Sequence, residues 1–258
     1  MRAGRLALAA AALVLSATPA AAERLVSSLS SHQIKITPSF TGTELVLFGI
    51  VEREAETVPR RGGYDIVATV TGPRETLVVR RKERVAGIWV NTDSRTFVQV
   101  PSYLAMLSSR PVDAIASLDV ARRLQLGLRR TLLPQQIGPD TADVVRDDPF
   151  RGAFLRLKDA RKLYVETHDA VTFLTPILYS AKIPLPAGVP LGTYEVELKL
   201  FADGALIARG TEAFEIAKFG FEQFVANSAL NHGLLYGLAT AGMALLTGWL
   251  AAVMFRRD

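Results

Sequence analysis

The sequence predicts a mainly β protein: an immunoglobulin-like β-sandwich ectodomain with a helical insertion, plus a single C-terminal transmembrane helix. Three observations carry this expectation. Short β-rich runs punctuated by Gly, Pro and Asn fill residues 33–100 and return at 171–217. A helical pattern separates the two groups. Residues 233–255 then form an apolar stretch without one charged side chain. Short strands at such spacing fit a sandwich or barrel.

Taken in chain order, the first segment reads as a secretory signal. Arg2 and Arg5 make a positive start, residues 6–17 are apolar, and Ala20, Ala21 and Ala22 are small residues at a cleavage position. That order marks a signal peptide over 1–22, with the mature chain starting at Glu23. The expected β-domain covers 23–218. Its first strands are 33–36 (QIKI), 44–52 (ELVLFGIVE), 64–71 (YDIVATVT), 77–80, 87–91 and 96–100. From about 103 to 168 the β pattern disappears and an insertion is expected. Its clearest helix starts at Asp147-Asp148-Pro149, a cap followed by proline at the first helical position. Phe150, Phe154, Leu157, Ala160 and Tyr164 make one apolar face at helical spacing, with Arg151, Arg156, Lys158, Arg161 and Lys162 around it. A weaker helix is expected over 113–128. Strands return at 171–174, 178–183, 194–201 and 205–208, with Asp203-Gly204 as a hairpin turn; residues 214–217 finish the sheet.

Residues 219–232 form a juxtamembrane segment. The 23 residues of 233–255 would rise about 34 Å as a helix, enough for a hydrocarbon core of about 30 Å. Arg256 and Arg257 open a short tail, 256–258, and no Lys or Arg occurs at 219–255. The positive-inside rule then expects a cytoplasmic C-terminus, and the signal an ectodomain outside the cytoplasm.

Composition narrows the chemistry. There is no cysteine, so disulfides, thiol catalysis and thiolate metal sites are excluded. Of the net +5, Arg2, Arg5 and the tail account for +3. The remaining +2 gives no basis for nucleic-acid binding. Common nucleophile, zinc-protease, P-loop and dinucleotide motifs are absent. Of three histidines, His32, His168 and His232, only His168-Asp169 forms a tempting pair, and it reads first as an exposed loop. Asp140, Asp143, Asp147 and Asp148 lack the alternate-residue spacing of a calcium loop. Trp89-Val90-Asn91 reads as a strand with a packed tryptophan. The basic helix reads as a solvated face, with anionic lipid or an acidic partner as the alternative. No enzyme, metal or cofactor site is expected.

The membrane helix carries a pattern of its own. At 100° per residue, Gly233, Gly237, Ala241, Ala244, Gly248 and Ala252 fall within roughly one 100° arc. Thr240 and Thr247 lie beside it. Small residues let a second helix approach closely, and threonine hydroxyls can bond across the contact. The stripe is therefore a candidate helix–helix interface, with self-association or a membrane-protein partner expected.

The segments TGTELVLFG (41–49), GIWVN (87–91), IPLPAGVPLGTYEVELKL (183–200) and LLYGLATAGMALLTGWLAAVMFRR (234–257) together resemble the alphaproteobacterial putative transmembrane protein family. The likeness spans nearly the whole mature chain. The family brings no activity with it, so the resemblance implies no catalytic residue. It implies an accessory role beside sulfite-exporter-type permeases. The expected function is a membrane-anchored periplasmic interaction module, an accessory subunit of a transporter or envelope complex. The alternative is a periplasmic ligand-binding domain for a small molecule or envelope polymer.

Overall fold

A computed structural model describes residues 23–53, 63–137, 140–143, 148–219, 225 and 229–254. The expected signal peptide and tail lie outside the described residues, as does most of the juxtamembrane segment. The β-rich runs form strands in three sheets. The first is antiparallel, with order β1 (Arg24–Leu29), β3 (Gly42–Glu52), β12 (Leu178–Pro186) and β11 (Val171–Phe173). The second has order β10 (Tyr164–Thr167), β7 (Leu104–Ser108), β4 (Asp65–Thr71), β13 (Gly192–Ala202), β14 (Ala205–Lys218) and β2 (Gln33–Ile36). Both of its edges, β10 on β7 and β2 on β14, pair parallel. The third joins β5 (Arg74–Val85), β6 (Ile88–Pro101), β8 (Pro134–Ile137) and β9 (Asp140–Asp143).

Alternation explains how the first two sheets meet. Leu45, Leu47 and Val51 on β3 and Tyr179, Ala181 and Ile183 on β12 share one buried cluster with Ile66, Ala68 and Val70 on β4 and Val196, Leu198 and Leu200 on β13. Residues two apart point to the same side of a strand, so the two inner faces make one core between two layers. Strands from the first and last parts of the chain are neighbours in both sheets, at β3–β12, β4–β13 and β14–β2. At the start of β13 the Tyr194 hydroxyl donates to the Pro190 carbonyl at 2.6 Å. Gly192, at φ +131°, supplies the left-handed turn between them.

The stretch expected to lack strands does not lack them. β7 sits inside the six-stranded sheet, hydrogen-bonded to both β4 and β10. Its sequence, LAMLS, is buried at every position. One side meets the sandwich core; the other, carrying Met106, packs with Val67 and Phe201 against Val112, Ile115, Ala121 and Leu126 of the short-helix region. A strand covered on both faces shows no alternation, which is why its sequence gives no β signal. The insertion is thus mixed, holding β7 to β10 as well as helices. The expected 113–128 helix is two short ones, α1 (Val112–Ile115) and α2 (Leu118–Arg123). Ala116 turns extended between them, and the Ser117 side chain caps the second.

The helix α3 (Pro149–Ala160) starts as expected, with the Asp148 carboxylate accepting from the Arg151 amide at 2.9 Å. Its buried face is rotated from the expected one. Taking Phe150 as zero, Phe154 lies at about 40°, Lys158 at about 80° and Arg151 at about 100°, whereas Leu157 lies at about −20°. Phe150, Phe154, Arg151 and Lys158 are buried, and Leu157 is 55% exposed. Two of the expected solvated cations are therefore internal. Arg151 donates to the carbonyls of Arg129 and Thr131. Lys158 donates to the Ser102 carbonyl at 2.9 Å and pairs with Glu75, beside the Phe154 and Tyr164 rings. Buried charges persist where acceptors meet them. Arg156, Arg161 and Lys162 remain exposed.

Candidate interaction surfaces

Three features outside the core present apolar groups to the surroundings. The first is the outer face of the four-stranded sheet. Register places Val26 and Leu178 on either side of Ile50, and Ser28 and Ser180 on either side of Phe48. Val26, Phe48 and Ile50 are exposed, and Ile177 and Leu174 extend the apolar surface beyond the strand ends. Polar residues border it: Arg24 lies opposite Glu52, and Lys182 meets Glu44 at 3.7 Å. β3 thus reads apolar for most of its length because its inner residues fill the core while Val46, Phe48 and Ile50 face outward.

The second feature is a long hairpin. β5 and β6 were expected as separate pieces, 77–80, 87–91 and 96–100. They form one ladder paired from Arg74 with Pro101 to Val85 with Ile88. Ala86 and Gly87 close it, both at positive φ (50° and 88°), the twist-matched geometry of a two-residue hairpin turn. The base is packed, with Val79, Phe97 and Val100 buried, but residues 80–94 are all exposed. Trp89, expected as a packed strand residue, is 66% exposed near the tip. The correction has a physical source. Alternation and a tryptophan suit a half-buried strand, and the local sequence does not say whether another layer covers it.

The third feature is the helix α4 (Gly233–Met254), whose 22 residues carry no charge and none of whose side chains is buried. Among the described residues it is the one helix long and apolar enough to cross a membrane. Gly233, Gly237, Ala241, Ala244, Gly248 and Ala252 all lie on it, and a Cβ built at Gly233, Gly237 or Gly248 would meet nothing within 4 Å. The threonines are already satisfied within the helix. Thr240 donates to the Gly237 carbonyl at 2.9 Å and Thr247 to that of Ala244 at 3.2 Å. Close packing, rather than hydroxyl bonding, is what this face offers a neighbour.

The polar candidates dissolve into structure. His168 is exposed, with its Nδ1 3.2 Å from the Ser108 hydroxyl. Asp169 occupies a turn at φ 59°. Asp140 and Asp143 lie on β9, Asp147 falls outside the described residues, and Asp148 caps α3 while accepting from Gln135 at 2.9 Å. His32 gives its carbonyl to the Glu215 amide, and His232 gives its own to Tyr236 at the start of α4. Among the described residues no three His, Asp or Glu side chains converge on a metal-sized site. Among the described residues, two grooves open broadly to solvent. One, about 470 Å³, has Glu44, Thr172, Ser180 and Lys182 in its wall. The other, about 360 Å³, contains Asp65, already held by Ser109 at 2.8 Å and by the Arg110 guanidinium.

A family model described as "Putative transmembrane protein (Alph_Pro_TM)" matches residues 24–257. A search of curated proteins gave no match.

Proposed function

The chain belongs to the alphaproteobacterial putative transmembrane protein family, and from that premise we propose that it is a single-pass inner-membrane protein whose periplasmic domain engages a protein partner. In this reading it is an accessory subunit of a transporter or envelope complex. The signal-like start and the arginines after the membrane helix support export of the domain and a cytoplasmic C-terminus. Strand order supports an immunoglobulin-like domain. Read as A-B-E-D, the four-stranded sheet takes β1, β3, β12 and β11; the C, F and G positions fall to β4, β13 and β14. The Tyr194 hydroxyl bond to Pro190 has the form of a tyrosine corner.

The observation that carries the partner reading is the exposed apolar face of Val26, Phe48 and Ile50. Contiguous exposed apolar surface with a polar border marks protein contact. A photoreactive amino acid at position 48 of the full-length protein, activated in native membranes, should give a recurrent adduct with a membrane protein. The same probe at Glu195, exposed on the other sheet, should not. If position 48 yields no consistent adduct, the accessory role fails.

The α4 stripe supports a second contact within the bilayer, with another copy or with the partner. Replacing Gly237 and Gly248 with leucine should weaken association in membranes at least about fivefold, on the order of 1 kcal/mol. Unchanged association would leave α4 as a plain anchor.

Ligand binding is the second reading. It rests on the 470 Å³ groove, whose wall carries Glu44 and Lys182. A small molecule or polymer fragment recovered with the purified protein would favour it.

A further inference from the structure

The β5–β6 arm has a use that protein docking on the sandwich face does not explain. From Arg80 to Val85 it extends about 20 Å at roughly 3.3 Å per residue, with every residue from 80 to 94 exposed. Its side chains are graded along the arm. The last rows carry Val85, Ile88, Trp89 and Val90, exposed by 53%, 67%, 66% and 39%. Arg84 shares the Trp89 row and Glu83 the Val90 row; the rows behind carry Lys82, Arg81 and Arg80, with Glu83 paired to Arg81 at 3.0 Å.

Register separates the two faces. Val85 with Ile88 and Glu83 with Val90 lie on one; Arg84 with Trp89 and Lys82 with Asn91 lie on the other. Apolar groups therefore occupy both faces of the tip. A protein docking site needs one face; a tip that is apolar on both suits a medium that surrounds it. The ladder stays paired to its last row, and Arg84 Nε donates to the Gly87 carbonyl at 3.2 Å. The outward-facing backbone groups of both strands keep their water at headgroup depth, which a hydrocarbon core would deny them. Cationic side chains also protect exposed strand edges from pairing, which accounts for the arginines and the lysine. It does not account for four apolar residues at the far end.

We propose that the tip of this hairpin inserts into the interfacial layer of an anionic membrane. Val85, Ile88, Trp89 and Val90 enter at headgroup depth, and Arg80, Arg81, Lys82 and Arg84 contact lipid phosphates. Tryptophan favours this depth, and basic residues gain there from negative surface charge. The partner is lipid, and α4 holds the domain close to it. The inference needs only that α4 spans the bilayer, so it stands or falls apart from the protein-partner reading.

The chain has two tryptophans, so a Trp249→Phe full-length protein leaves Trp89 as sole reporter. It is reconstituted in vesicles of phosphatidylcholine alone or mixed equally with phosphatidylglycerol, with bromine on the acyl chains in parallel samples. Trp89 emission should shift to the blue and be quenched by bromolipid, at least about fivefold more strongly with phosphatidylglycerol, the scale of a single interfacial cation. R81E/K82E/R84E should abolish that difference. V85S/I88S/V90S, which keeps the cations, should reduce quenching even in anionic vesicles. Melting curves check that both variants stay folded. Emission that remains water-like in both lipids overturns the proposal. So does shielding of Trp89 that arises only in native membranes with a protein crosslinked to it.

Discussion

Replacing Gly49 with alanine is expected to be the most damaging single methyl addition in the sandwich. Gly49 is buried at the centre of β3, opposite Ser27 on β1 and Tyr179 on β12. A Cβ there would stand 2.3 Å from the Val26 carbonyl oxygen and 2.5 Å from the Tyr179 hydroxyl. The first of these is backbone in a paired strand and cannot swing aside. β1 would have to shift, loosening the ladder beneath the proposed docking face. Overpacking of this kind costs about 3 kcal/mol, a large share of the about 5–15 kcal/mol of a typical domain. The full-length protein in detergent should melt roughly 6–12 °C lower, followed by the β signal in circular dichroism. Gly210 provides the control, because its Cβ would touch only the Leu25 and Leu198 side chains, at 3.4 and 3.8 Å. Removing the Tyr179 hydroxyl clears the side-chain half of this clash, so Tyr179→Phe should restore part of the loss in the double variant. A Gly49→Ala melt matching that of Gly210→Ala would refute this account of the close approach.

Alkaline pH should unfold the ectodomain more steeply than its surface charge suggests. Tyr103, Tyr164, Tyr179 and Tyr194 are fully buried in the core. Burial pushes the Tyr179 phenol up to about 12, helped by the Glu212 carboxylate and opposed by the Ser27 hydroxyl. Burial likewise raises Tyr103, Tyr164 and Tyr194, with Glu75 adding to the last two. Unfolded, each phenol ionises near 10. Below that pH both states hold the proton and nothing changes. Above it the unfolded chain releases protons that the native fold retains, so stability falls as pH rises. Each such tyrosine steepens the fall by up to about 1.4 kcal/mol per pH unit until its folded value is passed. For Tyr179 the window runs from about 10 to 12. A midpoint in that range, moved upward by Tyr179→Phe, is the expected outcome; a fold indifferent to pH through 12 would contradict it.

The candidate surfaces were unequally legible in the sequence. The membrane helix was readable because its lack of charge persists over 22 residues, and lipid demands that at every turn. The Val26, Phe48 and Ile50 face was hidden inside a run that looked like core. The arm was hidden for a related reason. An Ala-Gly pair between two short runs is a weak turn signal, and nothing local distinguishes a strand beneath another layer from one standing in solvent.

What the amino-acid sequence determined by itself is what each residue imposes on its neighbours. That includes the alternating strands of β13, the Asp203-Gly204 turn at φ 49° and 81°, the proline-capped start of α3, the membrane helix, and the exclusion of thiol chemistry. Tertiary structure alone decided three other features. β7 is central, though its sequence shows no period, because layers cover both its faces. α3 turns Arg151 and Lys158 inward because carbonyls from residues 102, 129 and 131 wait there. Trp89 points to solvent because, among the described residues, no third layer reaches the end of its hairpin. Periodicity records which face of an element is wet; it does not record which distant segment comes to dry it.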